Sequence, residues 1–305
     1  MSFLPFISSG LFLGWSLGAN DAANVFGTAV GTRMIRFRLA AIVCSLCVIA
    51  GAVLQGGGAA KTLDALGSIN ALPGAFAVAL AAAVTVAAMT RSRLPVSTSQ
   101  AIVGGIIGWN LFSGLPTDPR AMANILGSWA ASPVLGGLFA VGIFVIMKWF
   151  IYHSRIHLLH VDGLIRTALL LAGAFGSYSL GANNIANVMG VFVASTQLQD
   201  IDLSLFSLGN QQQLFLLGGL AIALGVFTYS RRIMETVGKG LYEMTSEAAI
   251  AIVLAHGIVL FLFSSAGLQQ VMAAIGLPPL PLVPVSSSHT IIGAVLGIGL
   301  LYGGR

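Results

Sequence analysis

The sequence predicts an all-α polytopic membrane protein: two inverted-topology repeats, with broken helices or re-entrant hairpins meeting at a midplane site. Three observations predict it. The 305 residues are 57% hydrophobic and 8% charged, whereas soluble domains carry about 25% charged residues. Apolar runs of spanning length recur along the chain, and a helix needs roughly 20 such residues to cross the hydrocarbon layer. Two polar motifs each occur twice, in the same order. Ser16-Leu-Gly-Ala-Asn-Asp-Ala-Ala-Asn-Val25 returns as Ser179-Leu-Gly-Ala-Asn-Asn-Ile-Ala-Asn-Val188, and Pro95-Val-Ser-Thr-Ser-Gln100 returns as Pro284-Val-Ser-Ser-Ser-His289.

The apolar runs fall at about 4–30, 37–57, 73–90, 95–112, 128–152, 164–193, 211–229, 247–264 and 284–303. If each crosses, the connections alternate between two sides. One side receives Arg33, Arg36, Arg38, Arg91, Arg93, Lys148, Arg155, Arg166, Arg231, Arg232, Lys239 and Arg305, and the other only Lys61 and Arg120. An excess of bases marks the cytoplasmic side, so the N-terminus is expected outside and the C-terminus in the cytoplasm of a cell (plasma or inner) membrane. The first amide motif then runs inward and its copy outward, which makes residues 1–160 and 161–305 inverted repeats forming one transmembrane unit. The run at 73–90 and the one at 95–112 are short and closely joined, so a re-entrant hairpin is the alternative there; the same alternative holds for the last run. Gly18 to Pro95 spans 77 residues and Gly181 to Pro284 spans 103. The extra chain is expected within 195–245, where 230–246 is polar and basic (Arg231, Arg232, Glu235, Lys239, Glu243) and reads as a cytoplasmic connection. The connection near 195–210 holds Asp200 and Asp202.

The net charge of +5 and pI near 9.6 do not indicate nucleic acid, because the bases sit in short connections where topology explains them. The first residues lack a basic region and a cleavage site, so no removable signal peptide is expected. Cys44 and Cys47 lie one helical turn apart in an apolar run and read as core residues. His153, His157 and His160 read as part of a solvated basic connection, and His256 as a hydrogen-bonded core histidine with a proton role as the alternative.

The chemistry concentrates in the motifs. Asp21 is the one acidic residue well inside an apolar run. A carboxylate at the bilayer centre costs roughly 2.5–3.5 kcal/mol, and no Lys or Arg lies centrally in any run to neutralise it. It reads as a cation ligand or proton carrier. Asn20, Asn24, Asn183, Asn184 and Asn187 offer carbonyl oxygens to a cation and amide donors to an anion. The i, i+4 spacing of Asn20/Asn24 and of Asn183/Asn187 puts each pair on one helical face. Gly18 and Gly181 are expected to let the helix unwind and free carbonyls for sodium. Pro95 and Pro284 suit a first helical turn, which would place Ser97, Thr98, Ser99 and Gln100, and Ser286, Ser287, Ser288, His289 and Thr290, at helix N-termini where amides and the dipole favour anions. Without a nearby base, the anion needs the cation's charge, so their binding energies are linked. Gly104/Gly108 and Gly293/Gly297 read as packing seams.

With these motifs in view, the sequence resembles the inorganic phosphate transporter (PiT) family. Gly18 to Gly31 is similar to that family's signature, the two Pro-Val-Ser stretches to its hydroxyl motifs, and Thr236-Val-Gly-Lys239 to a further segment. The resemblance implies symport of inorganic phosphate with sodium or protons and a homodimer within the lipid bilayer. It implies phosphate contacts from Asp21, Thr98, Ser99, Gln100, Asn184, Ser287 and Ser288. Cation contacts are expected from Asn20, Asp21, Asn24, Asn183, Asn184 and Asn187, with no transition metal and no cofactor beyond co-substrate sodium. Two departures stand out: Asn184 replaces the family's usual second Asp, and Gln100 replaces a frequent His. Gln cannot relay protons, which favours sodium. The competing readings are another tetrahedral oxyanion such as sulfate or arsenate, an anion channel, and an intramembrane hydrolase. The last lacks a nucleophile motif such as Gly-x-Ser-x-Gly, so no enzymatic activity is expected.

Overall fold

A computed structural model describes residues 3–67, 69, 71–92, 96–153, 158–203, 206–240 and 245–303. Arg93, Pro95, Arg155, His157, Glu243 and Arg305 lie outside the described residues, as do the side chains of His160 and Lys239. The architecture is helical. In order the elements are α1 (Leu4–Gly31), α2 (Phe37–Gln55), α3 (Gly57–Leu66), α4 (Leu72–Arg91), α5 (Thr98–Ser113), α6 (Pro119–His153) and α7 (Leu158–Val193); then a hairpin of β1 (Ile201–Leu203) and β2 (Phe206–Leu208); then α8 (Asn210–Thr228), α9 (Ser230–Gly240), α10 (Ser246–Leu262), α11 (Ala266–Ala274) and α12 (Ser287–Gly303). The hairpin is antiparallel, with Asp202 opposite Ser207.

Among the described residues, five helices are long and apolar enough to cross a membrane: α2, α4, α6, α7 over Asp162–Val193, and α8; α10 with α11, bent by 73°, makes a sixth. That is fewer than the nine runs. α1 has the length, at 28 residues, but its amide motif dilutes its apolar character, while α5 and α12 have only 16 and 17 residues. A bilayer tolerates such polar or short pieces only where protein or a cavity surrounds them; the second amide motif is fully buried, and the first is buried except at Asn20 and Asn24, which face a cavity.

Close packing between helices relies on absent side chains. A Cβ on Gly18 would collide with the Ile222 carbonyl of α8, and one on Gly225 with the Trp15 carbonyl of α1. Gly181 faces the Val48 carbonyl of α2 in the same way, and Gly51 faces the Tyr178 carbonyl of α7. The α1–α8 crossing therefore matches the α7–α2 crossing residue for residue. Other contacts follow the same exchange: α4 packs on α1 and α10 on α7, while α3 packs on α7 and α9 on α1. Contrary to the expectation from sequence, the helices do not unwind at Gly18 or Gly181; α1 and α7 run unbroken through their motifs. These glycines serve close approach instead, and the break falls between α10 and α11.

The offset between matching positions also locates the extra chain. It is 163 at Gly18 and Gly181, 174 at Gly51 and Gly225, and 189 at Ser97 and Ser286. The first increase falls at the hairpin, within the expected 195–245; the second falls around α11, outside that range, and the stretch 230–245 adds nothing. That stretch largely forms α9, the counterpart of α3, which turns Ser230 and Met234 inward and Arg231 and Arg232 outward.

The glycine seams differ. Gly293 and Gly297 of α12 meet Pro133 and Gly137 of α6, a packed seam as expected. A Cβ on Gly104 or Gly108 of α5 would meet no other element within 4 Å; these glycines instead line a groove with Ala77, Ala81 and Trp109. Cys44 is buried in the core beside the half-buried Cys47, both as free thiols.

Candidate functional site

Two extended segments, Val96–Ser97 and Pro281–Ser286, lead into α5 and α12 and cross between α1 and α7. The crossing is braced reciprocally: the Ser99 hydroxyl donates to the Val285 carbonyl at 2.9 Å, and the Ser288 hydroxyl to the Val96 carbonyl at 2.9 Å. Ser97 caps α5 by accepting from the Gln100 amide, and Ser286 accepts from the His289 amide. The hydroxyl motifs thus open helices, as expected, although Pro284 precedes the first turn of α12. Its carbonyl accepts from Trp129 Nε1 at 3.3 Å.

The amide motifs bond to this crossing from both sides. Asn20 donates to Asp21 Oδ1 at 2.8 Å and more weakly to the Val96 carbonyl at 3.4 Å. Asn24 donates to the Ser287 hydroxyl at 3.0 Å, and His256 Nε2 lies 2.8 Å from the same oxygen. Across the molecule, Asn187 donates to Ser99 Oγ and to Asn184 Oδ1, both at 2.9 Å, and Asn183 donates to the Val283 carbonyl at 3.1 Å. The structure therefore brings the four motifs together. Gln100 stands apart: it lines the α4–α5 groove with the exposed seam.

Several atoms in this cluster are spare. Asn183 Oδ1, Asn187 Oδ1, Asn184 Nδ2, Thr98 Oγ1 and His256 Nδ1 are buried without a hydrogen-bond partner. Leaving a buried polar atom unpaired costs about 1–3 kcal/mol, so a concentration of them marks capacity for a ligand. Asp21 is 2% exposed, and among the described residues the ion pairs are Arg166–Asp162 and Arg231–Glu235, both exposed, which leave Asp21 without a basic partner. The spare carbonyl oxygens and the carboxylate suit a hard cation; the spare amide and hydroxyl suit an oxyanion. Ser99 is differently placed than sequence suggested, because it both accepts from Asn187 and gives its proton to a carbonyl. Ser99 and Ser288 brace the crossing, while Thr98 and Ser287 keep free capacity.

A cavity of about 640 Å³ follows one face of α1, at Asn20, Asn24 and Thr28, and one face of α12 from Ser288 to Leu296. Its wall also includes the exposed Arg91 and Arg232. Sequence reasoning assigned these two bases to topology alone, since nothing local ties the end of α4 to the start of α9. Among the described residues, basic side chains of separate connections meet the 34–37 turn: Arg166 donates to the Met34 carbonyl and Arg231 stacks on Phe37. His256, expected as a bonded core histidine, is one, and its partner Ser287 belongs to the motif. His153 ends α6 with Nδ1 2.8 Å from the Trp149 carbonyl.

A helical membrane protein with a duplicated, ligand-capable polar centre and a cavity leading from it to a basic surface is a solute carrier by architecture. Over residues 17–305 the chain matches the model of the phosphate transporter family, and it belongs to that family. It is 26% identical over 96% of its length to a Pyrococcus abyssi protein, and 28% over 98% to one from Pyrococcus horikoshii, covering 87% and 89% of those proteins. Both are named "Putative phosphate permease". A Haemophilus influenzae protein of the same name is 25% identical, with 99% of this chain and 89% of that one aligned. The fold matches a solved structure titled "The sodium-dependent phosphate transporter" with a TM-score of 0.76 at 23% identity, over 100% of this chain and 91% of the other.

Proposed function

We propose that this protein is a secondary symporter that imports inorganic phosphate together with sodium, and that it acts as a carrier and not as an enzyme. The observation that carries this is the pairing of an uncompensated buried carboxylate, Asp21, with spare carbonyl oxygens and spare donors in one crossing of motifs. Sodium at Asp21 and the oxygens of Asn20, Asn24, Asn183, Asn184 and Asn187 supplies the positive charge that the crossing lacks. Phosphate then takes donors from Thr98, Asn184 and Ser287. Each ligand improves the other's site, which is coupling by linkage. The repeats 1–160 and 161–305 are inverted with the N-terminus outside, a reading supported by the exchanged packing and the gathered bases. On that orientation the cavity opens to the cytoplasm, and Arg91 and Arg232 draw the released anion out. Two copies associate as a homodimer.

Phosphate uptake into proteoliposomes tests this. A sodium gradient at equal pH drives uptake, and a proton gradient without sodium does not. Uptake with protons alone moves the coupling role to Asp21 as proton carrier. Uptake of sulfate in preference to phosphate assigns the donors to a different oxyanion.

A further inference from the structure

Ser287 sits between two nitrogens. Asn24 Nδ2 donates to its oxygen at 3.0 Å, and His256 Nε2 lies 2.8 Å away. His256 is completely buried, and its other nitrogen, Nδ1, has no partner. A serine hydroxyl has one proton and two lone pairs, and a neutral imidazole has one N–H and one bare nitrogen. Asn24 occupies one lone pair. Two arrangements remain. If Ser287 gave its proton to Nε2, the ring proton would sit on Nδ1 as a buried donor with no acceptor. If Nε2 carries the ring proton, it fills the second lone pair and leaves Nδ1 as a bare acceptor. Buried orphan N–H groups are rarer than under-used acceptors, so the second arrangement is favoured. In it, both lone pairs of Ser287 are filled and its O–H is free to point at a third partner.

We propose that His256 is a positioning residue that, with Asn24, commits the Ser287 hydroxyl to donating and so reserves it for an oxygen of the transported oxyanion. A hydroxyl with no free lone pair cannot ligate a cation. The matching residue Thr98 differs. Its Oγ1 is buried without a partner, and α4, which packs on α1 as α10 packs on α7, carries no histidine. Thr98 therefore keeps both roles open, and anion selection is concentrated on the α12 side. The inference rests on Ser287 as a phosphate contact.

The test uses the full chain in proteoliposomes, with inorganic phosphate as the probe and phosphate and sodium varied separately. S287A and H256L each raise the phosphate KM about tenfold, the size of one buried hydrogen bond. The double variant is no worse than either single one, because both remove the same contact. Half-saturation by sodium at saturating phosphate stays unchanged. H256Q, whose amide can reach and donate to Ser287, returns the KM to within about twofold of the original. H256N keeps a polar group but falls short of the hydroxyl, so it behaves as H256L and covers the case in which leucine prevents folding. A raised KM in S287A with an unaltered one in H256L and H256N overturns the positioning role alone. So do additive effects in the double variant or a shifted sodium dependence in H256N. An unaltered KM in S287A overturns the phosphate contact itself, and the inference with it.

Discussion

Asn24 and Asn187 hold the same place in two copies of one motif, yet their surroundings differ. Asn24 is half-buried on the wall of the cavity of about 640 Å³ and bonds Ser287. Asn187 is completely buried and bonds Ser99. The helices around them pack alike, through Gly18 and Gly225 on one side and Gly181 and Gly51 on the other. What differs is the cover. α3 packs on α7 and buries Ala59, Ala60, Leu63 and Leu66, whereas α9, although it also packs on α1, lines with α12 the cavity that runs along α1. A polar motif repeated in sequence therefore exposes one copy and seals the other, as a carrier open to one side requires. The carboxylate also belongs to the copy beside the cavity: Asp21 matches Asn184.

This comparison can be broken or sharpened by experiment. The largest effect is expected at Asp21, where D21N removes the only buried carboxylate among the described residues: sodium-driven uptake falls at least about a hundredfold while size-exclusion behaviour is retained. Wild-type transport in D21N would remove the proposed cation role. Next is G181L, in which a side chain is forced against the Val48 carbonyl; the folded, monodisperse fraction collapses, whereas G104L, facing open space, leaves it intact. Equal yields of the two would show that the crossing tolerates separation. Third, Ala23 lines the cavity and its counterpart Ala186 is completely buried. With Cys44 and Cys47 replaced by Ala, a membrane-impermeant thiol reagent labels A23C at least about tenfold faster than A186C. Matching rates would mean that the sealed copy opens freely. The smallest effect is at the cavity wall. R91Q combined with R232Q slows uptake about two- to threefold at low ionic strength and less at high, because the two charges act through solvent.

The chain's class was legible in its sequence because lipid imposes a requirement on every backbone group, and only long apolar helices meet it here. The duplicated motifs were legible too, since Asp21 and the paired asparagines are too costly in an apolar run to be there without a use. Sequence alone determined the helical fold class, the order of the motifs and the residue types at the centre. Tertiary structure decided how their hydrogen bonds are distributed. Ser99 and Ser288 give their protons to carbonyls 186 and 192 residues away, while Ser287 and Thr98, their neighbours, do not. It also decided that Gly18 and Gly181 permit contact where unwinding was expected, and that Arg91 and Arg232 share a cavity wall. Periodicity and composition report what a residue costs within its own helix. A proton's acceptor, a glycine's neighbour and a cavity's wall come from other helices, and their identity follows only once those helices have packed.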